Sequence, residues 1–144
     1  MSRRASVRTP AKINWDLRIL GRRADGYHEL RSWCLAAGWW DELAAATAPG
    51  LAASTLAVTG AAAAGVPQDA TNLVLRAEAE WRAAFPLQAA ALPPLRWHLV
   101  KDIPSGAGLG GGSGNAAGAL LVLEALSGAA PERARLRPVA AALG

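Results

Sequence analysis

Five of the seven residues from 106 to 112 are glycine. They sit between an alternating apolar segment, LRWHLV at 95–100, and a helical run ending near Leu126, so the order is strand, glycine run, helix. Glycine at such a junction lets successive backbone N–H groups turn toward one point. A helix starting near Ser113 adds unpaired N–H groups and a partial positive charge. Together these features make a cradle for phosphate. Ser113 and Asn115 are expected to place short polar side chains at its mouth. The loop lacks the Gly-Lys-Ser/Thr ending of a P-loop, because Gly112-Ser113-Gly114 stands there. No acidic residue about 20 positions further on suits a dinucleotide fold, since Glu124 falls inside the helix.

A second polar group lies near the N-terminus. Lys12 and Asn14 share one face of an alternating segment, with Asp16 next along it. A lysine there can neutralise phosphoryl charge or lower a nucleophile's pKa, and the alternative is plain solvent-facing alternation. Asp25, Tyr27 and His28 fall in a turn, where Tyr27 offers a ring and a hydroxyl and His28 an imidazole. Two histidines far apart, one cysteine (Cys34) and no clustered carboxylates argue against a metal site and permit no internal disulfide. Trp33, Trp39, Trp40 and Trp81 are expected to pack in the interior, and His98 to face solvent.

Positioning these groups requires a scaffold of strands and helices. Ile13, Trp15, Leu17 and Ile19 alternate with Lys12, Asn14, Asp16 and Arg18, which predicts a half-buried strand over 11–20. Asp25-Gly26 marks a turn into a returning strand over 29–37. Asp41-Glu42 reads as a polar break before a short strand at 42–46, and LAVT at 56–59 as another strand. Residues 60–70 read as a loop. Asn72 caps a helix reaching Phe85, with Leu73, Ala77 and Glu80/Trp81 on its inner face, and Pro86 ends it. A linker over 87–94, the strand at 95–100 and the helix from Ser113 to Leu126 follow. Residues 127–130 read as a turn, Pro131 as a first-turn residue, and 133–143 as a helix with Gly144 just past its end. Strands early and helices later predict an α+β fold, one mostly antiparallel sheet covered by helices.

Composition narrows the class. The chain has 144 residues, 52% hydrophobic and 18% charged, which excludes wholesale disorder. Alanine makes up about a quarter of it, so packing must be tight for each small side chain to count. Its net charge is +4 and its pI about 10.2, compatible with nucleic acid or an anionic small molecule. No apolar run approaches the roughly 20 residues of a membrane-spanning helix, and the basic N-terminus has no apolar run behind it. A cytoplasmic setting is expected, with no membrane partner.

PAKIN at 10–14, GRRADGYHEL at 21–30, Asn72-Leu73 and IPSGAGLGGGSGNAA at 103–117 together resemble the 4-diphosphocytidyl-2-C-methyl-D-erythritol kinases. Those belong to the larger GHMP group of galactokinase, homoserine kinase, mevalonate kinase and phosphomevalonate kinase. The resemblance runs along nearly the whole chain and implies the GHMP-kinase N-terminal domain, similar to domain 2 of ribosomal protein S5. It implies transfer of the ATP γ-phosphate to the 2-hydroxyl of the cytidylylated methylerythritol, a step of the non-mevalonate isoprenoid pathway, with Mg²⁺ accompanying the ATP. Lys12 would be the catalytic lysine, and Asn14 would line the same cleft. Tyr27 and His28 would hold the cytosine end. Lys101, Pro104, Gly106, Gly108, Leu109, Gly110, Gly111, Gly112, Ser113 and Asn115 would surround the nucleotide phosphates.

The chain also departs from the family pattern. Gly114 stands where the family has a second serine, and Asp16 where an apolar or small residue is usual. The family's Gly-Ala-Asp-Val-Pro-like motif, whose aspartate is its general base, would begin at Leu143-Gly144, so that aspartate and the C-terminal domain are expected to lie outside these residues. Asp16 is not expected to substitute. The alternative is a catalytically inactive nucleotide or phosphate binder. A nucleic-acid-binding domain is disfavoured for lack of a basic stripe interleaved with exposed aromatics. Apolar surface left uncovered would give a monomer or a weak homodimer.

Overall fold

The computed structural model describes residues 2–128 and 133–143. Four strands form one sheet: β1 (Arg4–Arg22), β2 (His28–Thr47), β3 (Thr55–Thr59) and β4 (Leu95–Val100). Their spatial order is β1-β2-β4-β3. The pairs β1–β2 and β2–β4 are antiparallel, and β3–β4 is parallel. Among the described residues, four helices accompany the sheet: α1 (Leu73–Ala84), α2 (Pro86–Ala90), α3 (Gly111–Ser127) and α4 (Arg133–Ala141). The α+β expectation, a mostly antiparallel sheet covered by helices, agrees with this architecture.

Alternation decides which sheet face the helices cover. Leu43 and Ala45 of β2 and Leu95, Trp97 and Leu99 of β4 point inward, where they meet Val74, Ala77 and Trp81 of α1 and Leu120, Leu123 and Leu126 of α3. The intervening residues, among them Glu42, Arg96 and His98, are exposed. His98 faces solvent as expected and hydrogen-bonds Thr59 Oγ1 at 2.9 Å. Asn72 caps α1 by accepting from the Val74 N–H at 2.9 Å. The expected inner face of α1 is off by two positions on its polar side: Glu78 is buried and Glu80 exposed. Burial of Glu78 is tolerated because Ser54 Oγ (2.6 Å), Arg82 Nε (2.8 Å) and Trp97 Nε1 (2.6 Å) all donate to it.

Several other boundaries differ from the reading of the sequence. β1 and β2 form one long hairpin that runs through the supposed break at Asp41-Glu42, because Asp41 pairs with Thr9 and is buried rather than solvated. The linker over 87–94 contains α2, which Pro86 starts by pre-setting the helical φ. The helix expected from Ser113 begins at Gly111. Pro131, Gly144 and the end of the turn at 127–130 lie outside the described residues.

The distal half of the hairpin is the largest departure. Ile13, Trp15, Leu17 and Ile19 are 48–79% exposed, so the expected half-buried strand has no covered face there. Trp33 and Trp39 are also exposed, Trp40 is half-buried, and only Trp81 of that group reaches the core. The physical reason is reach: α3 packs against Val7 and Thr9 at the start of β1, and no described helix covers the arm beyond. Four arginines, Arg18, Arg22, Arg23 and Arg31, are exposed on the same arm as these tryptophans. Arg18 and Arg23 are matched by Asp16 (3.3 Å) and Asp25 (2.8 Å).

Candidate functional site

The loop from Pro104 to Gly110 leaves β4 and enters α3. Gly106, Gly108 and Gly110 have φ of +75°, +73° and +70°, separated by Ala107 and Leu109 with negative φ. Alternating handedness of this kind turns successive N–H groups to one side. Among the described residues, no backbone N–H from Ser105 to Ser113 donates to a protein acceptor. Gly110 caps α3 without a side-chain hydrogen bond, so the first-turn amides stay open to an anion.

Lys12 lies directly against this loop. Its N–H donates to the Leu109 carbonyl at 2.8 Å, stitching β1 to the loop. Its side chain crosses Gly110 so closely that a Cβ on Gly110 would fall 2.7 Å from Lys12 Cγ. Lys12, Pro10, Gly110, Ser113 and Gly114 border an open groove of about 490 Å³. On the other side of the loop, a recess of about 150 Å³ is lined by Pro67, Asn72, Leu73, Lys101, Ser105 and Gly112. A larger hollow of about 730 Å³, near Ser54, Leu75 and Arg82, lies away from both Lys12 and the loop.

Beneath the loop is a buried polar cluster. Asp41 Oδ1 accepts from the N–H groups of Asp102 (2.8 Å) and Ile103 (2.9 Å). Asp41 Oδ2 accepts from Lys101 Nζ (2.5 Å) and Asn115 Nδ2 (2.9 Å). Asn115 Nδ2 also reaches Thr9 Oγ1 at 3.0 Å. Burial pushes the Asp41 carboxyl up, but the Ile103 N–H, the Lys101 ammonium, the Asn115 amide and the Asp102 N–H outweigh it and hold it below the usual carboxylate value.

Two expected site residues therefore sit elsewhere than the sequence reading put them. Asn115 is not at the mouth of the cradle; it is buried and faces Asp41. Lys101 is buried and paired beneath the loop, with its Nζ 2.7 Å from where a Cβ on Gly111 would be. Asp41 was missed by the sequence reading. Its signal is parity: it lies two residues before inward-facing Leu43, just as Lys101 lies two after inward-facing Leu99.

The register of the hairpin places the remaining residues. Lys12 pairs with Ala36 and Asn14 with Cys34, two apart on β2, so Lys12 and Asn14 share a face. Asn14 Oδ1 accepts from Ser32 Oγ (3.3 Å) and Cys34 Sγ (3.2 Å). Asp16 does not follow them. The register shift between Asn14 and Asp16 sets it opposite Trp33, on the other face, where it pairs with Arg18. Tyr27 and His28 lie at the hairpin tip, about 30 Å of strand beyond Lys12, and are not brought to the loop. No group of three or more His, Cys, Asp or Glu side chains suited to a metal ion occurs among the described residues. Among the described residues, no helix is long and apolar enough to cross a membrane.

Gly114 can be tested directly. A Cβ there would meet Thr9 Cβ at 3.6 Å, ordinary contact, so a side chain fits. Gly114→Ala is expected to stabilise the fold by about 0.5–1 kcal/mol, read as a raised urea midpoint. A lowered midpoint would show that the first turn of α3 needs glycine there.

Comparisons with known proteins show the family and the fold. The family profile for the GHMP kinases N terminal domain matches residues 72–144. The chain is 41% identical over 139 residues to the 4-diphosphocytidyl-2-C-methyl-D-erythritol kinase of Streptomyces avermitilis, covering 96% of this chain and 44% of that protein. It is 45% identical over 134 residues to the enzyme of the same name from Parvibaculum lavamentivorans, covering 93% and 44%. The chain thus spans less than half the length of these curated relatives. A crystal structure of 4-(cytidine 5'-diphospho)-2C-methyl-D-erythritol kinase superposes with a TM-score of 0.70 at 36% identity, over 97% of this chain and 46% of that one. Homoserine kinase from Cytophaga hutchinsonii, at 16% identity, shares the fold with a TM-score of 0.71, over 97% of this chain and 40% of its own. Profile and fold coincide on the segment that builds the loop, and the chain belongs to the GHMP kinases through their N-terminal domain.

Proposed function

We propose that this chain is the nucleotide-binding part of an ATP-dependent kinase that phosphorylates the 2-hydroxyl of 4-diphosphocytidyl-2-C-methyl-D-erythritol. The observation that carries the reading is one juxtaposition: unengaged loop amides from Ser105 to Ser113 with the Lys12 side chain laid across Gly110. Phosphoryl transfer depends on positioning and on positive charge around the transferred group. The amides of Gly106 to Ser113, with Pro104 and Leu109 shaping the loop, would hold the ATP phosphates. Lys12 would stand at the transferred phosphoryl and the acceptor hydroxyl, with Asn14 on the same face. Lys101, paired with Asp41, would support the loop from below rather than touch the phosphates. Magnesium would enter on the phosphates themselves, because the described residues offer no carboxylate set to hold it.

The substrate assignment is supported by the names of the 40–49% identical relatives and by Tyr27 and His28, which the family pattern gives to the cytosine end. We place the partners as small molecules and the chain as a monomer or weak homodimer in the cytoplasm.

On this reading the chemistry also needs a general base, which the family pattern gives to the aspartate of its Gly-Ala-Asp-Val-Pro-like motif. Asp16, the carboxylate nearest in sequence to Lys12, lies on the opposite face and is paired with Arg18. These 144 residues alone are therefore expected to bind nucleotide without turning over. The test is a phosphoryl-transfer assay on the chain beside calorimetry with ATP. Binding without substrate-dependent ADP release supports the reading. Release of ADP by the chain alone contradicts the need for that aspartate, and absence of ATP binding contradicts the cradle.

A further inference from the structure

We infer that Asp41 is a positioning residue for the nucleotide phosphates, acting through the backbone of the glycine loop. The inference rests on the nucleotide reading above. Asp41 touches every segment that shapes the cradle. Its Oδ1 fixes the N–H groups of Asp102 and Ile103, where the chain leaves β4 and turns into the loop. Its Oδ2 holds Lys101, whose ammonium lies beneath Gly111 in the first turn of α3. The same oxygen holds Asn115, one turn further along α3, and Asn115 reaches Thr9, three residues before Lys12 on β1.

Four donors thus converge on one fully buried carboxylate and tie together the loop entry, the loop exit and the strand that carries Lys12. The arrangement explains how a loop so rich in glycine keeps its amides unengaged. With both ends fixed from below, the segment between them does not need bonds of its own to hold its shape. It also explains why a lysine is tolerated under a helix N-terminus, where the partial charge is positive: Asp41 neutralises it.

The experiment compares Asp41→Asn with Leu126→Ala in this chain. Leu126 is a buried core residue near the far end of α3. Asparagine keeps the shape and one acceptor but turns an amide donor toward Lys101 and Asn115. Both variants are examined, while folded by circular dichroism, for ADP affinity by calorimetry and for the ¹⁵N–¹H resonances of Gly106, Gly108 and Gly110. Asp41→Asn is expected to weaken ADP at least about tenfold, the size of one lost charge-assisted contact, and to shift those glycine resonances. Leu126→Ala is expected to lower the melting temperature while leaving affinity and loop resonances near the parent's. Parent-like affinity and resonances in Asp41→Asn would overturn the inference, as would an equal loss of affinity in Leu126→Ala.

Should Asp41→Asn not fold, Asn115→Ala, which removes one donor and leaves the ion pair, is expected to shift the same resonances and weaken ADP to a smaller degree. No change in either would overturn the inference. If the parent chain does not bind ADP, the nucleotide reading fails. The glycine resonances would still report whether Asp41 shapes the loop.

Discussion

Lys12→Ala is expected to lower the rate of phosphoryl transfer in the proposed kinase about 100- to 1,000-fold, the usual consequence of removing one group that stabilises developing charge. The side chain is half-buried, crosses Gly110, and has no ion-pair partner among the described residues, so its charge is free for the groove. Removing it should leave the sheet intact, because the structural bond of Lys12 is made by its backbone N–H to Leu109. The loss should therefore fall mainly on kcat, with ATP affinity weakened less than about tenfold, since the loop amides carry the ground-state phosphate contacts. Steady-state kinetics with the melting temperature recorded alongside makes the check. Near-parent kcat in Lys12→Ala would remove the lysine from the chemistry.

Asp41→Ala is expected to cost about 3–5 kcal/mol of stability, because it strands the Lys101 charge in the interior and leaves the Asp102 and Ile103 N–H groups without an acceptor. Adding Lys101→Met should recover much of that loss by removing the stranded charge. The same carboxylate governs acid stability. Its folded value lies below the ordinary 3.8, so its contribution is fully present above that pH. The contribution disappears as pH falls from there through the lower folded value, where the unfolded chain takes up the proton first. Urea midpoints measured from neutral pH down to about pH 2 should fall more steeply for the parent than for Asp41→Asn in the acid range. Equal slopes would contradict the assignment.

The glycine loop was legible in the sequence because its physics is local. A strand ending at Val100, glycines free to take positive φ and an apolar helical run follow one another within about 30 residues, and each is decided by its own stretch of chain. The strand at 95–100 and the cap at Asn72 were legible for the same reason. What the sequence hid was non-local. Alternation at Ile13, Trp15, Leu17 and Ile19 says that one face is apolar, but not whether anything covers it. Register shifts are equally silent: nothing in the sequence around Trp15 announces the shift that turns Asp16 away from Lys12 and Asn14. Asp41 was misread because an adjacent acidic pair reads as a solvated break, whereas its donors lie 60 to 74 residues away. Asn115 was misplaced by the same blindness. A short polar side chain at a helix start reads as facing the anion until the buried carboxylate beneath it is known.

The most direct measurement is a titration of the isotopically labelled chain with ADP and magnesium, followed through its backbone amide resonances. The largest movements are expected in Gly106 to Ser113 and in the Lys12 amide, with the hairpin tip at Tyr27 and His28 unmoved. Saturating nucleotide that leaves the amides of that loop in place, or that moves residues around Ser54 and Arg82 instead, would contradict the phosphate cradle.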